Sequence, residues 1–219
     1  MDYKTKRRRY RTAADIAYTG AGQQKRRSEA MLRLMIGSDI HRRLDHLEEA
    51  LDDARPEGAL DAILLAGDFE AAQEDIDRLD IPEPLYLVHG NNDALLAPSD
   101  PADELAIDIE DNRISGVHAA GYTDPLPPRP ASSAHRILMT HGHRYHAPRL
   151  LALRARALEA GADIVVYGHT HRYQEDAGRP GDALILNPGT LMPAPGSGRC
   201  TYMILEIADS KIRSLRHEL

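Results

Sequence analysis

Asp39-x-His41, Asp68, Asn91, His141 and His169-x-His171 are the residues of this chain whose types and spacing point to chemistry. They sit in five short polar clusters: Ser38 to His41, Gly67-Asp68, Gly90 to Asp93, Thr140 to His143, and Gly168 to His171. Carboxylate, amide and imidazole groups are oxygen and nitrogen donors for divalent metals, and this set is enough for a pair of adjacent ions. No single cluster carries the argument. Asp-x-His is common by chance, Gly-Asp after a strand is often only a turn, and a lone His is more often a surface or core residue than a ligand. The information lies in five such clusters in order, most of them placed directly after an apolar run.

Those apolar runs read as buried strands, since they are short and continuous rather than alternating. They are Met31 to Gly37, Asp61 to Ala66, Leu85 to Val88, Arg136 to Met139 and Asp163 to Tyr167. Helices are expected over His41 to Ala54, with Leu44, Leu47 and Leu51 on one face, over Ala71 to Leu79, and over Pro148 to Ala160, closed by Gly161. Shorter strands are expected at Leu105 to Ile109 and Arg113 to His118 around an Asp111-Asn112 turn. Further short strands are expected at Tyr173 to Glu175, Ala183 to Leu186, Thr201 to Ile207 and Lys211 to Arg216. Strand–helix–strand alternation predicts parallel pairing with right-handed crossovers, hence an α/β fold. Ligands of open α/β sheets bind beyond the carboxyl ends of the strands. The five clusters are therefore expected at one sheet edge, with Gly67, Gly90, Gly142 and Gly168 permitting sharp turns.

The 219 residues suffice for one such domain, read here as residues 31–219. No apolar run approaches the roughly 18 residues that span a bilayer. A single cysteine, Cys200, excludes an intrachain disulfide, is expected in the core, and fits a reducing, cytoplasmic setting. Residues 1–30 hold nine Lys/Arg against three acidic residues, so the remainder carries a net charge of −13. That acidic body argues against a nucleic-acid polymer as substrate. The basic extension lacks an apolar stretch and is not a secretory signal. Three readings of it stay open: a disordered extension, a start assigned upstream of Met31, and a basic arm for an anionic partner. The oligomeric state is also open, a homodimer included.

The set Asp39-x-His41, Gly67-Asp68, Gly90-Asn91, His141 and Gly168-His169-Thr170-His171, with Asn187-Pro188-Gly189-Thr190, resembles the calcineurin-like metallophosphoesterases. Within them the chain looks most like the small single-domain phosphodiesterases related to YfcE and Vps29. The resemblance covers about Met31 to Ile207. It implies a four-layer αββα sandwich, two packed mixed sheets flanked by helices. It also implies two divalent ions, Mn²⁺ foremost with Fe, Zn²⁺ or Ni²⁺ as alternatives. Asp39, His41 and His171 would hold one ion, Asn91, His141 and His169 the other, and Asp68 would bridge them. A hydroxide shared by ions about 3.5–4 Å apart would attack the phosphorus of a small phosphodiester in line. Asn91 and His143 are the expected catalytic contacts to the phosphoryl group, His143 as phosphate contact or proton donor against a structural role.

One position departs from the pattern. Many relatives carry His after the ligand Asn, and this chain has Asn92, which cannot act as a general acid near neutral pH. Asp93 is read either as orienting a neighbour or as a solvated loop carboxylate. His89 is expected to pack near its turn, and His46 and His146 are expected on the surface. Arg42, Arg144 and Arg172 follow motif histidines and default to solvated side chains, though any one of them stands close enough in sequence to reach a phosphate. The Vps29-like branch supplies the rival reading, a non-catalytic assembly subunit. The presence of competent ligands at all seven positions favours the enzyme.

Overall fold

A computed structural model of the chain describes residues 31–94, 102–192, 199–208 and 211–219. The basic segment 1–30 lies outside them. The first half alternates β1 (Leu32–Gly37), α1 (Leu44–Ala54), β2 (Ala62–Leu65), α2 (Gln73–Arg78) and β3 (Leu85–Leu87). Then come β4 (Glu104–Glu110), β5 (Arg113–Ala120), β6 (His135–Thr140), α3 (Arg149–Ala160) and β7 (Ile164–Val166). The chain closes with β8 (Tyr173–Asp176), β9 (Leu184–Pro188), β10 (Thr201–Ala208) and β11 (Lys211–Glu218).

Two mixed sheets result, in the orders β11-β10-β1-β2-β3 and β5-β4-β6-β7-β9-β8. Strands β1, β2 and β3 run parallel, as do β6, β7 and β9, and the outer strands pair antiparallel. Every residue of β1 and of β2 is buried, because both faces are covered. Side chains alternate between those faces. Leu34, Ile36 and Leu64 join Ile107, Ile137, Met139 and Val166 of the other sheet in the central layer. Met35, Ile63 and Leu65 turn the other way, into one buried cluster with Leu47, Leu51 and Ile76 of the helices. Leu138, Val165 and Ile185 meet Leu153 and Ala157 of α3 on the opposite outer face. Burying a leucine such as Leu47 contributes roughly 1.5–3 kcal/mol. This is the expected four-layer αββα sandwich. No helix among the described residues is long and apolar enough to cross a membrane.

The β4–β5 hairpin turns at Asp111 and Asn112, both left-handed, as a two-residue turn requires. Helix α3 ends at Gly161, φ +64°, whose N–H caps the carbonyls of Ala157 and Leu158. Helix α1 starts three residues later than expected. His41 and Arg42 have φ of 45° and 68°, so they belong to the preceding loop and not to a right-handed helix.

Candidate metal centre

The parallel strands of both sheets deliver their carboxyl ends to one edge. There β1 leads into Ser38–Arg42, β2 into Gly67–Glu70, β3 into Gly90–Asp93, β6 into His141–His143, and β7 into Gly168–His171. The first two loops are laced together: the N–H groups of Asp39, Ile40, His41 and Arg42 donate to the carbonyls of Gly67, Asp68, Asp68 and Phe69 at 2.8–3.0 Å. The third is tied in by Asp93. This carboxylate is fully buried and accepts from the backbone N–H of Asp68, Phe69, Glu70 and Gly90 at 2.6–2.9 Å. Of the two readings of Asp93, the solvated one is excluded.

Lacing of this kind forces unusual backbone geometry. Asp39, His41, Asp68, His169 and His171 all have φ between 45° and 66°. A left-handed non-glycine residue costs about 1–3 kcal/mol and persists only where its surroundings over-determine it. Gly67, at φ +84°, meets the turning requirement expected of it. Gly90 and Gly168 do not have positive φ, which corrects the expectation of sharp turns there. They are glycine for lack of space: a Cβ on Gly90 would fall 2.1 Å from Oδ1 of Asp68, and one on Gly168 1.8 Å from Oγ of Ser38.

The side chains converge accordingly. Asp39, His41 and His171 form one group of mutually close ligand atoms, and Asp39, Asp68 and His141 a second. Asp39 is thus shared between them. Asp68 also stands in the middle, its Oδ2 lying 3.3 Å from Nε2 of His141 and 3.8 Å from Nε2 of His41. Asn91 reaches the same point, Oδ1 being 3.2 Å from Nε2 of His141. His169 comes to the site differently. Its N–H donates to Asp39 at 2.9 Å and its ring lies edge-on to His141 at 5.2 Å, outside both close groups.

Whether these residues suit a cation is decided by their proton positions. Nδ1 of His41 is committed to Glu70 at 2.7 Å, and Nδ1 of His141 to the Ala66 carbonyl at 2.7 Å. With Nδ1 carrying the proton, each Nε2 presents a lone pair to the centre. Nε2 of His41 then faces Nε2 of His171 at 3.1 Å, and Nε2 of His141 faces two oxygen acceptors. Buried carboxylates and lone pairs meeting at such distances call for positive charge between them. The titration preferences agree. Hydrogen bonding to Asp39 raises His171 above its ordinary value. Burial would lower His141, but Asp68 and Asp39 outweigh it and raise it. Burial would raise Asp68, yet hydrogen bonds from His141 and Asn92 hold it well below the usual carboxylate range. The donor set fits divalent metal ions.

His143 sits beside the centre, its ring 5.4 Å from that of His141 and 6.2 Å from that of His169. Burial, then the neighbouring His141 and Arg144, push its pKa down to about 4. Its Nδ1 is buried without a hydrogen-bond partner. Asn92, which stands where many relatives carry His, is committed to Asp68. Its backbone N–H and its Nδ2 donate to the two oxygens of Asp68 at 2.9 and 2.8 Å. Arg42, Arg144 and Arg172 are all exposed, as expected. His146 is exposed and His89 half-buried. His46 is not a surface residue: its Nδ1 lies 2.7 Å from the Leu191 carbonyl and 3.2 Å from Sγ of Cys200, which is buried.

Four residues support the ligands, and one of them, Glu70, escaped the motif reading. Glu70 grips His41, and Ser38 Oγ donates to Oδ2 of Asp39 at 2.6 Å. Thr190 Oγ1 donates to the Asp39 carbonyl at 2.9 Å, and Asn187 Nδ2 donates to the Gly168 carbonyl at 2.8 Å. The last two belong to the Asn-Pro-Gly-Thr stretch already noted, which was the available signal. Glu70 had none beyond its place two residues after Asp68.

Residues 32–210 match the calcineurin-like phosphoesterase superfamily domain, which spans every loop just described. The chain belongs to the calcineurin-like phosphoesterase superfamily. This is a family of metal-dependent phosphoesterases, in keeping with the Asp/His groups at the sheet edge. A curated relative, the probable metallophosphoesterase YsnB of Bacillus subtilis, is 29% identical over 163 residues, covering 73% of this chain and 75% of that one. Among solved structures, a predicted phosphoesterase from Streptococcus pneumoniae superposes with a TM-score of 0.58 at 24% identity, covering 88% of this chain and 99% of its own. A point mutant of Vps29 from Entamoeba histolytica superposes with a TM-score of 0.57 at 18% identity, covering 86% and 99%. At these identities the superpositions show the fold alone. An arrangement common to a predicted phosphoesterase and to Vps29 leaves function to the side chains.

Proposed function

We propose that this protein hydrolyses small phosphodiesters at a centre holding two divalent metal ions. The observation that carries the reading is the meeting of the Asp39 and Asp68 carboxylates with Nε2 of His41, His141 and His171 at 3.2–4.0 Å. Asp39, His41 and His171 would hold one ion and Asn91, His141 and His169 the other, with Asp68 between them. Ions bound there supply Lewis acidity and a water of lowered pKa. A mixed nitrogen and oxygen set suits Mn²⁺, Fe, Zn²⁺ or Ni²⁺ better than Mg²⁺ or Ca²⁺, and Mn²⁺ is our choice.

The chain's own groups do the rest. Glu70 and the Ala66 carbonyl hold two imidazoles in the tautomer that a cation needs. Asp93 keeps the Asp68 and Asn91 loops in register. His143, neutral at physiological pH, acts on the phosphoryl group as a hydrogen-bonding contact rather than as a cationic one. Asn92 is occupied with Asp68, so no acid stands where a leaving alkoxide would take its proton. Diesters with good leaving groups are therefore the favoured substrates. The acidic body disfavours nucleic-acid polymers, and we place the protein in the cytoplasm, its lone Cys200 unpaired. Intact ligand positions favour catalysis over a purely scaffolding role.

The test is metal analysis of the purified protein, joined to hydrolysis of bis-p-nitrophenyl phosphate against p-nitrophenyl phosphate with added Mn²⁺. Two ions per chain and faster diester turnover are expected. A protein that takes up Mn²⁺ and cleaves neither compound is a scaffold.

A further inference from the structure

Arg144 differs from the other arginines that follow motif histidines. Arg42 is 72% exposed and makes one long ion pair, 3.5 Å from Glu70. Arg144 is 48% exposed and held on several sides. Its Nε donates to Nε2 of His143 at 3.3 Å, its Nη2 lies 3.5 Å from Asp103, and its Cζ stands 5.4 Å from the centre of the Tyr122 ring. Tyr122 is fixed in turn. Its N–H donates to Asp103 at 3.1 Å, its hydroxyl donates to the Arg144 carbonyl at 3.2 Å, and its ring meets the buried Tyr145 edge-on at 5.2 Å. Ordering a long side chain costs entropy that solubility does not require.

The guanidinium therefore lies over an aromatic ring, with Nε tied to His143 and Nη2 to Asp103. Its Nε adjoins His143, whose ring is next to those of His141 and His169, and the side chain keeps 48% of its surface exposed. Asp103 lies against one edge of the guanidinium, 3.5 Å away. A planar, weakly hydrated guanidinium stacks well on π systems, and arginine planes commonly receive nucleic-acid bases. We propose that Tyr122 and Arg144 form a stacking platform for a planar aromatic ester group, nucleobase or aryl, carried by the phosphodiester that the centre cleaves. This rests on the phosphodiesterase reading above.

The test compares two Mn²⁺-dependent substrates that release the same p-nitrophenol: the p-nitrophenyl ester of thymidine 5′-monophosphate, and methyl p-nitrophenyl phosphate. Arg144→Ala and Arg144→Lys should each lower kcat/KM for the thymidine diester about tenfold more than for the methyl diester, chiefly through KM. A lysine variant that keeps the wild-type ratio would show that charge and not the plane matters, and would overturn the proposal. So would an equal fall on both substrates. A second readout needs no turnover: thymidine 5′-monophosphate added to the metal-free protein should shift the Arg144 Nε–H resonance upfield by ring current, whereas methyl phosphate should not. That shift in a protein which cleaves neither diester refutes the catalytic reading while leaving the platform standing. Its absence in a protein that cleaves both refutes the platform alone.

Discussion

Nδ1 of His41 lies 2.7 Å from a carboxylate oxygen of Glu70, on a loop that follows a different strand. The contact leaves Nε2 of His41 as the ring's free donor atom, turned toward His171, Asp39 and Asp68. Removing an outer partner of this kind usually costs 10–100-fold in metal affinity. Glu70→Ala should therefore weaken Mn²⁺ binding by about that factor in titration calorimetry. Glu70→Gln, which can still accept from Nδ1–H, should lose less. Unchanged affinity in the alanine variant would mean that His41 is oriented by something else.

Asp68 is the proposed bridge, and Asp68→Ala should abolish paired ion binding and nearly all turnover. The metal-free fold should lose stability too at neutral pH, because, against the effect of burial, hydrogen bonds from His141 and Asn92 hold the Asp68 carboxylate well below its usual range and the variant removes them. The rise in Tm on adding Mn²⁺ should shrink with it, since that rise reflects ligand linkage. Two ions per chain retained in this variant would exclude the bridging role.

Asn92 bears on substrate choice. Because its amide serves Asp68, alkyl monoesters should turn over far more slowly than activated diesters. Asn92→His should raise the monoester-to-diester ratio, by roughly the hundredfold that a placed general acid supplies. Diester activity itself should fall as Asp68 loses its clamp. Wild-type protein that hydrolyses alkyl monoesters efficiently would point to another acid.

Loading with metal should release protons. Asp39 and Asp68 raise His171 and His141 above the ordinary histidine value of 6.5, so both rings hold part of a proton near pH 7 in the metal-free protein. Ligation needs the neutral ring, and the ion must displace that proton. Apparent affinity should then climb with pH through and beyond 6.5. Calorimetry in buffers of different ionisation enthalpy measures the release directly. Zero release at pH 6.5 would count against these two residues as ligands.

Strands β1, β2, β6 and β7 were legible in the sequence because burial on both faces leaves an unbroken apolar run. The left-handed turn at Asp111-Asn112 and the Gly161 cap announce themselves by residue type. The start of α1 does not. Leu44, Leu47 and Leu51 predict a helix that continues back to His41, and only hydrogen bonds to residues 67–69, remote in sequence, show that the loop claims those positions. The candidate ligands were legible as motifs, since most lie beside a second chemical residue and Asp68 follows the Gly67 that ends an apolar run. Asp93 was legible as an orienting residue, one of its two readings, but Glu70 was not, because nothing in the sequence marks a carboxylate that grips a distant ring. His46 was misread for the same reason: its partners, Leu191 and Cys200, come from the other end of the chain.

Asp39, near the start of the domain, takes an N–H and a hydroxyl from far along the polypeptide, the backbone of His169 lying 130 positions away and the hydroxyl of Thr190 lying 151 away. Calcium loops of the helix–loop–helix kind draw their ligands from one short stretch and can take an ion as soon as that stretch exists. This centre cannot. Until β7 and β9 have been synthesised and have docked, the site is missing His169 and His171 and the hydroxyl that steadies Asp39. On the proposed ligand set, ion uptake therefore waits for β7 and β9 to dock.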